Sequence, residues 1–257
     1  MKRVLTAAVL APTVLYVVLA GPAWSFFLVV ALVAGLCYWE YAMIAGIPKV
    51  EAVAGILAGT LCLYTPPNIT FLLLILFPLL AMAMALRLRD LTNVLPDTAA
   101  QTFGLLYIYG AWKTAFLLHS INPYWLTFGL AVNWIGDTGA YYFGRNFGRH
   151  KLAPIVSPGK SWEGAAASVV TAVLFGVFFL PRFVSITLLA AGSIAVIANV
   201  AGQVGDLAES AIKRGAGVKD SGTLLPGHGG MLDRVDSSLF SLPVLYAVLY
   251  FFGIQQT

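Results

Sequence analysis

Apolar residues occur in long runs along the whole chain, and short polar segments separate these runs. A helix needs about 20 apolar residues to cross the hydrocarbon core of a bilayer. Nine runs come close to that length, at roughly 4–20, 24–45, 50–65, 69–86, 101–119, 124–144, 162–180, 184–212 and 233–253. The pattern therefore predicts an all-α fold, a polytopic transmembrane helical bundle with about nine spans. Residues 1–257 are expected to form a single integral membrane domain.

The composition of the chain excludes an ordinary soluble domain. Hydrophobic residues make up 60% of the sequence and charged residues only 10%, whereas a soluble domain has about 25% charged residues. So few polar residues could not cover the surface of a soluble fold. Cys37 and Cys62 lie in separate spans without the spacing of a metal site or a redox pair, so both are expected to be core residues.

Lysine and arginine residues are distributed unevenly between the two sets of loops. With a cytosolic N-terminus, 13 of the 15 basic residues fall in cytosolic segments. Arg182 lies on the opposite side, and Lys113 lies within the fifth span. Because cytosolic loops of membrane proteins are enriched in positive charge, the N-terminus is expected in the cytosol and the C-terminus on the opposite side. The first run ends at a Gly-Pro pair just before the second, which favours a retained helix over a cleaved signal peptide.

Two cytosolic loops, 145–161 and 213–232, are long and rich in glycine, proline, lysine and arginine, whereas the other loops are short turns. Function is therefore expected on the cytosolic side, late in the chain. Residues 1–120 are predicted to supply N-terminal helices, and residues 124–253 to carry the active site.

Acidic residues are concentrated in the same region. Six of the eleven acids fall in the last four spans or at their cytosolic ends: Asp137, Glu163, Asp206, Glu209, Asp233 and Asp236. Charges inside a membrane are costly unless they are paired, hydrated or bound to metal. The spacing places Asp206, Glu209 and Lys213 on one helix face, and Asp233 and Asp236 one turn apart. Such carboxylates suit Mg²⁺ shared with substrate phosphates. Neutralisation of neighbouring basic residues is the simpler alternative.

The loop 213–232 and its flanks have the composition of a phosphate site. Four cations lie there: Lys213, Arg214, Lys219 and Arg234. Gly227, Gly229 and Gly230 allow close approach of the backbone. They lead into a predicted helix N-terminus, which attracts anions through its N–H groups.

Residues 210–236 resemble the characteristic motif of the phosphatidate cytidylyltransferases, the CDP-diacylglycerol synthases. The stretch reads Ser-x-aliphatic-Lys-Arg, then Lys-Asp, then Pro-x-His-Gly-Gly-aliphatic-x-Asp-Arg-aliphatic-Asp, with every fixed position present. A second similar block runs from Asp137 through Ser157-Pro-Gly-Lys-Ser-Trp-Glu-Gly164. The resemblance therefore covers residues 137–236. The first four spans resemble the family only in being apolar.

The resemblance implies that CTP and phosphatidic acid react to give CDP-diacylglycerol and pyrophosphate in phospholipid biosynthesis. It implies Mg²⁺ as the cofactor, with a second monovalent or divalent cation as an open option. The expected location is a bacterial cytoplasmic membrane with the active site facing the cytosol. A homodimer is expected, and no nucleic-acid partner.

The same resemblance implies roles for individual residues. Asp206 and Asp233 match the metal-binding aspartates, with Asp236 and Glu209 as second candidates. Four cations are expected to bind the triphosphate or the lipid phosphate: Lys213, Arg214, Lys219 and Arg234. Further contacts to substrates are expected from Asp137, Lys160, Ser161, Glu163, His228, Gly229 and Gly230.

Some roles and two other function classes stay open at this point. Asp220 could orient Lys219 or form a plain surface ion pair. Glu40 and Lys113 lie within spans, where they could pair or reach the lipid phosphate. The alternative enzyme is a CTP-dependent kinase of a polyprenol-type lipid alcohol. A membrane transporter is disfavoured because no inverted repeat is visible.

Overall fold

The computed structural model describes residues 12–86, 91–224 and 229–254, which fall into two compact units. The first unit lies in Gly21–Lys113 and Asp220–Arg234, and the second in Thr114–Lys219 and Val235–Thr257 together with part of Ala8–Ala20. The predicted organisation as a single membrane domain stays a prediction.

The described residues are mainly helical, as predicted. In chain order the helices are α1 (12–19), α2 (Ala23–Ile44), α3 (Lys49–Tyr64), α4 (Pro67–Ala85), α5 (Val94–Gly104), α6 (Ala111–Ile121), α7 (Pro123–Phe147), α8 (Trp162–Phe183), α9 (Leu188–Gly215) and α10 (Leu232–Phe251). A 3₁₀ turn, Leu91–Asn93, precedes α5, and a π-helical segment, Leu105–Gly110, joins α5 to α6.

Each predicted span overlaps helix in the described residues, and the fifth overlaps the continuous segment from α5 to α6. Four helices, α2, α4, α8 and α9, are long and apolar enough to cross a membrane. Large apolar side chains such as Leu57, Phe71 and Phe178 are exposed on these and neighbouring helices, as expected for surfaces that face lipid. The number of crossings and the orientation of the termini stay predictions.

One element departs from the all-α prediction. Within the predicted loop 145–161, strands β1 (Lys151–Ala153) and β2 (Ser157–Ser161) form an antiparallel hairpin, and α7 continues to Phe147. The sequence of this hairpin contains two prolines and a glycine and has no run of β-branched residues, so the usual strand signal is absent. Pairing of its backbone groups makes the loop an ordered structure at the start of α8.

Capping residues set the starts of three helices in the second unit. Asn122 accepts a hydrogen bond from the backbone N–H of Tyr124 before α7, where Pro123 occupies the first helical position. Ser161 accepts from Gly164 at the start of α8. Thr187 accepts from Ala190 at the start of α9. These side chains satisfy N–H groups that have no partner within the helix.

Small residues let the helices of each unit approach closely. In the second unit, a Cβ atom added to Gly176 of α8 would lie 2.7 Å from the Cβ of Ala195 in α9. In the first unit, added Cβ atoms at Gly55 and Gly59 of α3 would collide with Tyr38 and Tyr109, respectively. Close packing through small residues is the common mode of helix association in membranes.

Lys113 is bound to the C-terminal end of α3. Its Nζ donates hydrogen bonds to the carbonyl oxygens of Cys62, Leu63 and Thr65, at 3.1, 3.0 and 2.5 Å. These carbonyls lie at the end of a helix, where the backbone lacks donors and carries partial negative charge. Lys113 therefore has a structural partner inside the first unit. Cys37 and Cys62 are buried there, as predicted.

Replacement of Lys113 by methionine is expected to destabilise the protein by about 1–3 kcal/mol, because it leaves helix-end carbonyls without their donor. Thermal unfolding in detergent measures this loss. Lys49→Met is the matched control, since Lys49 is exposed at the opposite end of α3. Equal melting temperatures for Lys113→Met and wild type would contradict the capping role.

Candidate functional site

The second unit contains a cavity of about 510 Å³ between the C-terminal part of α7, the hairpin and the facing parts of α8 and α9. Polar and charged side chains from three elements, α7, β2 and α9, line it: Asp137, Arg145, Lys160, Ser161, Gln203 and Asp206. The cavity thus brings the predicted residues Asp137, Lys160, Ser161 and Asp206 together, although 69 positions separate the first from the last in the chain.

Lys160 and Asp206 form an ion pair at this cavity. The Nζ of Lys160, on β2, lies 2.6 Å from Oδ2 of Asp206 on α9, and both side chains are less than one third exposed. Partial burial strengthens such a pair relative to an exposed one, because water screens it less. The pair holds a cation and an anion side by side, as a site for a phosphate and its metal requires.

The N-terminus of α8 opens onto the same cavity. Ser161 is buried and caps the helix, and both Ser161 and Gly164 contribute to the lining. A helix N-terminus favours anions through its N–H groups and dipole. Lys160 lies directly before this end of α8, so a basic side chain and the positive end of the helix dipole adjoin the same part of the cavity. Arg145, near the end of α7, adds a further cation and donates a hydrogen bond to Tyr141.

Glu163 contacts the hairpin. Its carboxylate accepts hydrogen bonds from the backbone N–H groups of Arg149 and His150, at 3.1 and 3.3 Å, and contacts His150 Nδ1 at 2.6 Å. Glu163 therefore ties the segment that leads into β1 to the first turn of α8. This contact gives Glu163 a role in holding the hairpin, beside the predicted substrate contact.

Four carboxylates of the second unit interact electrostatically. The negative charges of Asp206, Glu209 and Asp137 act on Asp236, which is half-buried in α10. Glu209 is buried and its Oε2 lies 2.5 Å from Nζ of Lys213, also buried, one turn along α9. The grouping confirms that α9 presents Asp206, Glu209 and Lys213 along one side.

The chemistry of these donors fits a hard divalent cation. Carboxylate oxygens are the ligands that Mg²⁺ prefers, and a cation near them would relieve their mutual repulsion. In the part of the chain that the structure describes, no three acidic, histidine or cysteine side chains converge closely enough to hold a metal ion. The assignment of metal ligands therefore stays a prediction.

A buried polar network next to the cavity was not predicted. Asn199 exchanges hydrogen bonds with Ser168 of α8 at 3.1–3.2 Å and accepts one from Gln203 at 2.8 Å. Gln203 also donates to the carbonyl of Ala165. Asn199, Gln203 and Asp206 fall at i, i+4 and i+7, so one face of α9 is polar inside an apolar span. This spacing is the sequence signal from which the polar face of α9 could have been predicted.

The cations of the loop 213–232 have different surroundings. Lys213 is paired with Glu209, as described above. Arg214 donates a hydrogen bond to the carbonyl of Val218 at 2.8 Å and is exposed. Lys219 is exposed in the second unit, and Arg234 is exposed in the first turn of α10. Their proposed contacts with phosphates remain predictions. His228 lies outside the described residues.

In the first unit, the start of α10 is bound by two carboxylates and a hydroxyl. Oδ2 of Asp233 accepts hydrogen bonds from the N–H groups of Gly230 and Ser221, at 2.8 and 3.0 Å. Glu40, from α2, accepts from Met231 and Leu232, both at 2.9 Å. The N–H groups that were expected to attract a phosphate are therefore bonded to protein, because acidic side chains reach this terminus.

Gly229 has a backbone φ of 77° directly before this helix, a conformation that glycine adopts without strain. A side chain there would also collide with Oδ2 of Asp233, 2.5 Å from the added Cβ. Gly229 and Gly230 thus allow the chain to fold back onto Asp233. Their contact with a substrate stays a prediction.

Glu163→Gln is expected to loosen the hairpin, because a neutral amide accepts the hydrogen bonds of Arg149 and His150 less strongly. Amide hydrogen exchange of a peptide covering 149–161 should accelerate about tenfold. Glu51→Gln is the matched control, since Glu51 accepts a hydrogen bond from Gln101 in the first unit. Unchanged exchange in Glu163→Gln would show that this carboxylate does not hold the hairpin.

Comparison with known proteins gives matches over nearly the whole chain. A sequence model described as the Cytidylyltransferase family matches residues 1–252. A phosphatidate cytidylyltransferase of Pseudomonas aeruginosa is 35% identical over 270 aligned positions, which cover 98% of this chain and 97% of that protein.

Other relatives match over a shorter stretch. The phosphatidate cytidylyltransferases of Staphylococcus haemolyticus and Bacillus subtilis are 39% and 42% identical over 163 and 156 positions. These alignments cover 62% and 59% of this chain, and 59% and 58% of the two relatives. The matched part therefore spans about three fifths of the length of each of these relatives.

Proposed function

This chain belongs to the cytidylyltransferase family, and from that premise we propose that it transfers the cytidylyl group of CTP to phosphatidic acid. The products are CDP-diacylglycerol and pyrophosphate. The observation that carries the proposal is the near full-length similarity to a phosphatidate cytidylyltransferase. The complete motif over residues 210–236 and the charged cavity of the second unit agree with it.

The reaction needs positioning and charge neutralisation more than covalent catalysis. A phosphate oxygen of phosphatidic acid attacks the α-phosphorus of CTP and forms a new P–O bond. The bond between the α-phosphorus and the oxygen that bridges to the β-phosphorus breaks, and pyrophosphate leaves with that electron pair. Phosphatidic acid is already an anion at neutral pH, so the attacking oxygen requires no general base.

The cavity supplies groups that can position a phosphate and neutralise its charge. Lys160 and Arg145 are placed to bind phosphate oxygens, because both carry positively charged donors. The helix dipole of α8 favours an anion beside them. Asp206 orients Lys160 through their ion pair. The volume of about 510 Å³ lies within the range typical of small-molecule sites.

We assign Mg²⁺ to the carboxylates as the cofactor. Asp206 and Asp233 would hold it, because they match the family's metal-binding aspartates. Asp236 and Glu209 are further candidates, because carboxylate oxygens suit Mg²⁺. When bound, the ion would polarise the α-phosphate and offset the charge of the leaving pyrophosphate. A second cation remains an option of the same assignment.

The proposed setting is a bacterial cytoplasmic membrane, with nine spans, a cytosolic N-terminus and the cavity open to the cytosol. Four long apolar helices support the membrane location, and the asymmetry of lysine and arginine supports the orientation. The cytosol is also where CTP is available. A homodimer is proposed on the family resemblance alone.

Purified protein in detergent with CTP, phosphatidic acid and Mg²⁺ is expected to form CDP-diacylglycerol and pyrophosphate. Asp206→Asn, Asp233→Asn and Lys160→Met should each lower kcat about 100-fold or more. Each removes a charged group that is proposed to bind either the metal ion or the phosphates, on which charge develops during the reaction. Asp97→Asn, in the first turn of α5, is the matched control and should keep wild-type turnover.

The position of a label in CTP separates the two enzyme classes. Label at the α-phosphate should enter the lipid product, and label at the γ-phosphate should appear in pyrophosphate. Transfer of the γ-label to a lipid alcohol, with release of CDP, would instead establish a lipid kinase and refute the cytidylyl transfer.

The orientation can be tested with single cysteines in a chain carrying Cys37→Ala and Cys62→Ala. Ile155→Cys lies in the exposed turn of the hairpin and Ser185→Cys in the exposed loop between α8 and α9. A membrane-impermeant thiol reagent should label position 185 in intact cells and position 155 only in inverted vesicles. The reverse pattern would refute the proposed orientation.

A further inference from the structure

Glu40 is an acidic residue buried inside the first unit, 7% exposed, in the apolar helix α2. Its carboxylate accepts three hydrogen bonds. Oε1 accepts from the N–H of Met231 at 2.9 Å, and Oε2 accepts from the N–H of Leu232 at 2.9 Å and from the hydroxyl of Ser221 at 2.8 Å. A charge this deeply buried is tolerated only with such partners.

These bonds complete the start of α10. The first N–H groups of a helix have no partner within the helix and carry partial positive charge. Here four successive N–H groups, from Gly230 to Asp233, each bind an oxygen of Glu40, Asp233 or Ser221. Glu40 supplies two of the four acceptors, and its negative charge lies at the positive end of the helix.

Glu40 also joins two parts of the chain that flank the glycine-rich motif. Ser221 and Leu232 are separated by ten residues, yet both bind Oε2. Ser221 in turn donates its N–H to Asp233 and accepts the N–H of Asp233 on its hydroxyl, so Glu40, Ser221 and Asp233 form one connected network.

The backbone near Glu40 is shaped to its carboxylate. A Cβ atom added to Gly222 would lie 2.8 Å from Oε1 of Glu40, and one added to Gly230 would collide with Oε2. Two glycines of the motif region are therefore required by the close approach of Glu40. The resemblance of the sequence to the family did not explain why glycine occupies these two positions.

From this network we infer that Glu40 is a positioning residue for cytidylyl transfer, which sets the places of Asp233 and Ser221. The role rests on the proposed function, in which Asp233 binds the metal. Glu40 itself contacts protein groups and acts on the reaction through Asp233 and Ser221.

The geometry explains why a glutamate is needed. Its two oxygens accept three hydrogen bonds, whereas the amide of glutamine has one acceptor oxygen and would direct an NH₂ group at a donor. Aspartate keeps the charge but is shorter by one carbon–carbon bond, about 1.5 Å. Neither substitute can hold Met231, Leu232 and Ser221 together.

Glu40→Gln and Glu40→Asp, assayed in full-length protein, should lower kcat about 10- to 100-fold. In parallel, amide exchange of a peptide covering 220–234 should accelerate about tenfold, while peptides from α3 and α4 keep wild-type exchange. Glu51→Gln is the matched control, with the same chemical change in the same unit, and should alter neither measurement.

A double-mutant cycle with Ser221→Ala separates positioning from a general effect on folding. Since Glu40 and Ser221 act through one network, their effects on kcat should be strongly non-additive, and the double variant should resemble the worse single variant. Strictly additive effects would overturn the inference. So would acceleration of exchange throughout the first unit, or Glu40→Gln with wild-type kcat and exchange.

Failure of the proposed function has a different signature. If wild-type protein forms no CDP-diacylglycerol, cytidylyl transfer is refuted whatever Glu40 does. The exchange of the 220–234 peptide then still decides whether Glu40 holds this segment, because that measurement needs no substrate.

Discussion

Charged side chains within apolar helices must find partners inside the protein, because lipid hydrocarbon offers none. The described residues meet this constraint by placing charges at the ends of other helices. Lys113 binds the carbonyl end of α3, and Glu40 binds the amide end of α10. Each charge has the sign that the partial charge of its helix end favours. Helix-end carbonyl and N–H groups that would be costly to leave unpaired in an apolar setting therefore bind these charged side chains.

In the second unit the same constraint produces ion pairs. Lys160 binds Asp206, and the buried Lys213 binds Glu209. A buried pair such as Lys213–Glu209 contributes little net stability, because loss of hydration offsets the attraction. The Lys160–Asp206 pair lines the cavity, where it offers both signs of charge, as the proposed phosphate and metal ion would need.

Glycine residues make these polar contacts possible. Gly222 and Gly230 admit the carboxylate of Glu40, and Gly202 of α9 admits the amide of Asn133. In each case a side chain would occupy the space of a polar group. Gly222 and Gly230, close to the motif, are therefore needed for close packing within the protein.

The lengths and positions of the helices followed from hydrophobic runs, because the run that spans a bilayer is a local property of the chain. The face that carries Asp206, Glu209 and Lys213 was also predictable, since helical spacing alone places them together. The hairpin of residues 151–161 was not, because its residues carry no strand signal and its pairing depends on the start of α8.

The sequence by itself therefore determined the helical class, the family motif and the chemical character of the site. Only the tertiary structure decided what Glu40, Lys113 and Glu163 do. The hydrogen-bond partners of Glu40 lie 181–192 positions away in the chain. Rules based on residue spacing do not predict contacts at that separation. The role of a buried carboxylate depends on the donors that the fold brings to it, and those donors are set by packing rather than by neighbouring residues.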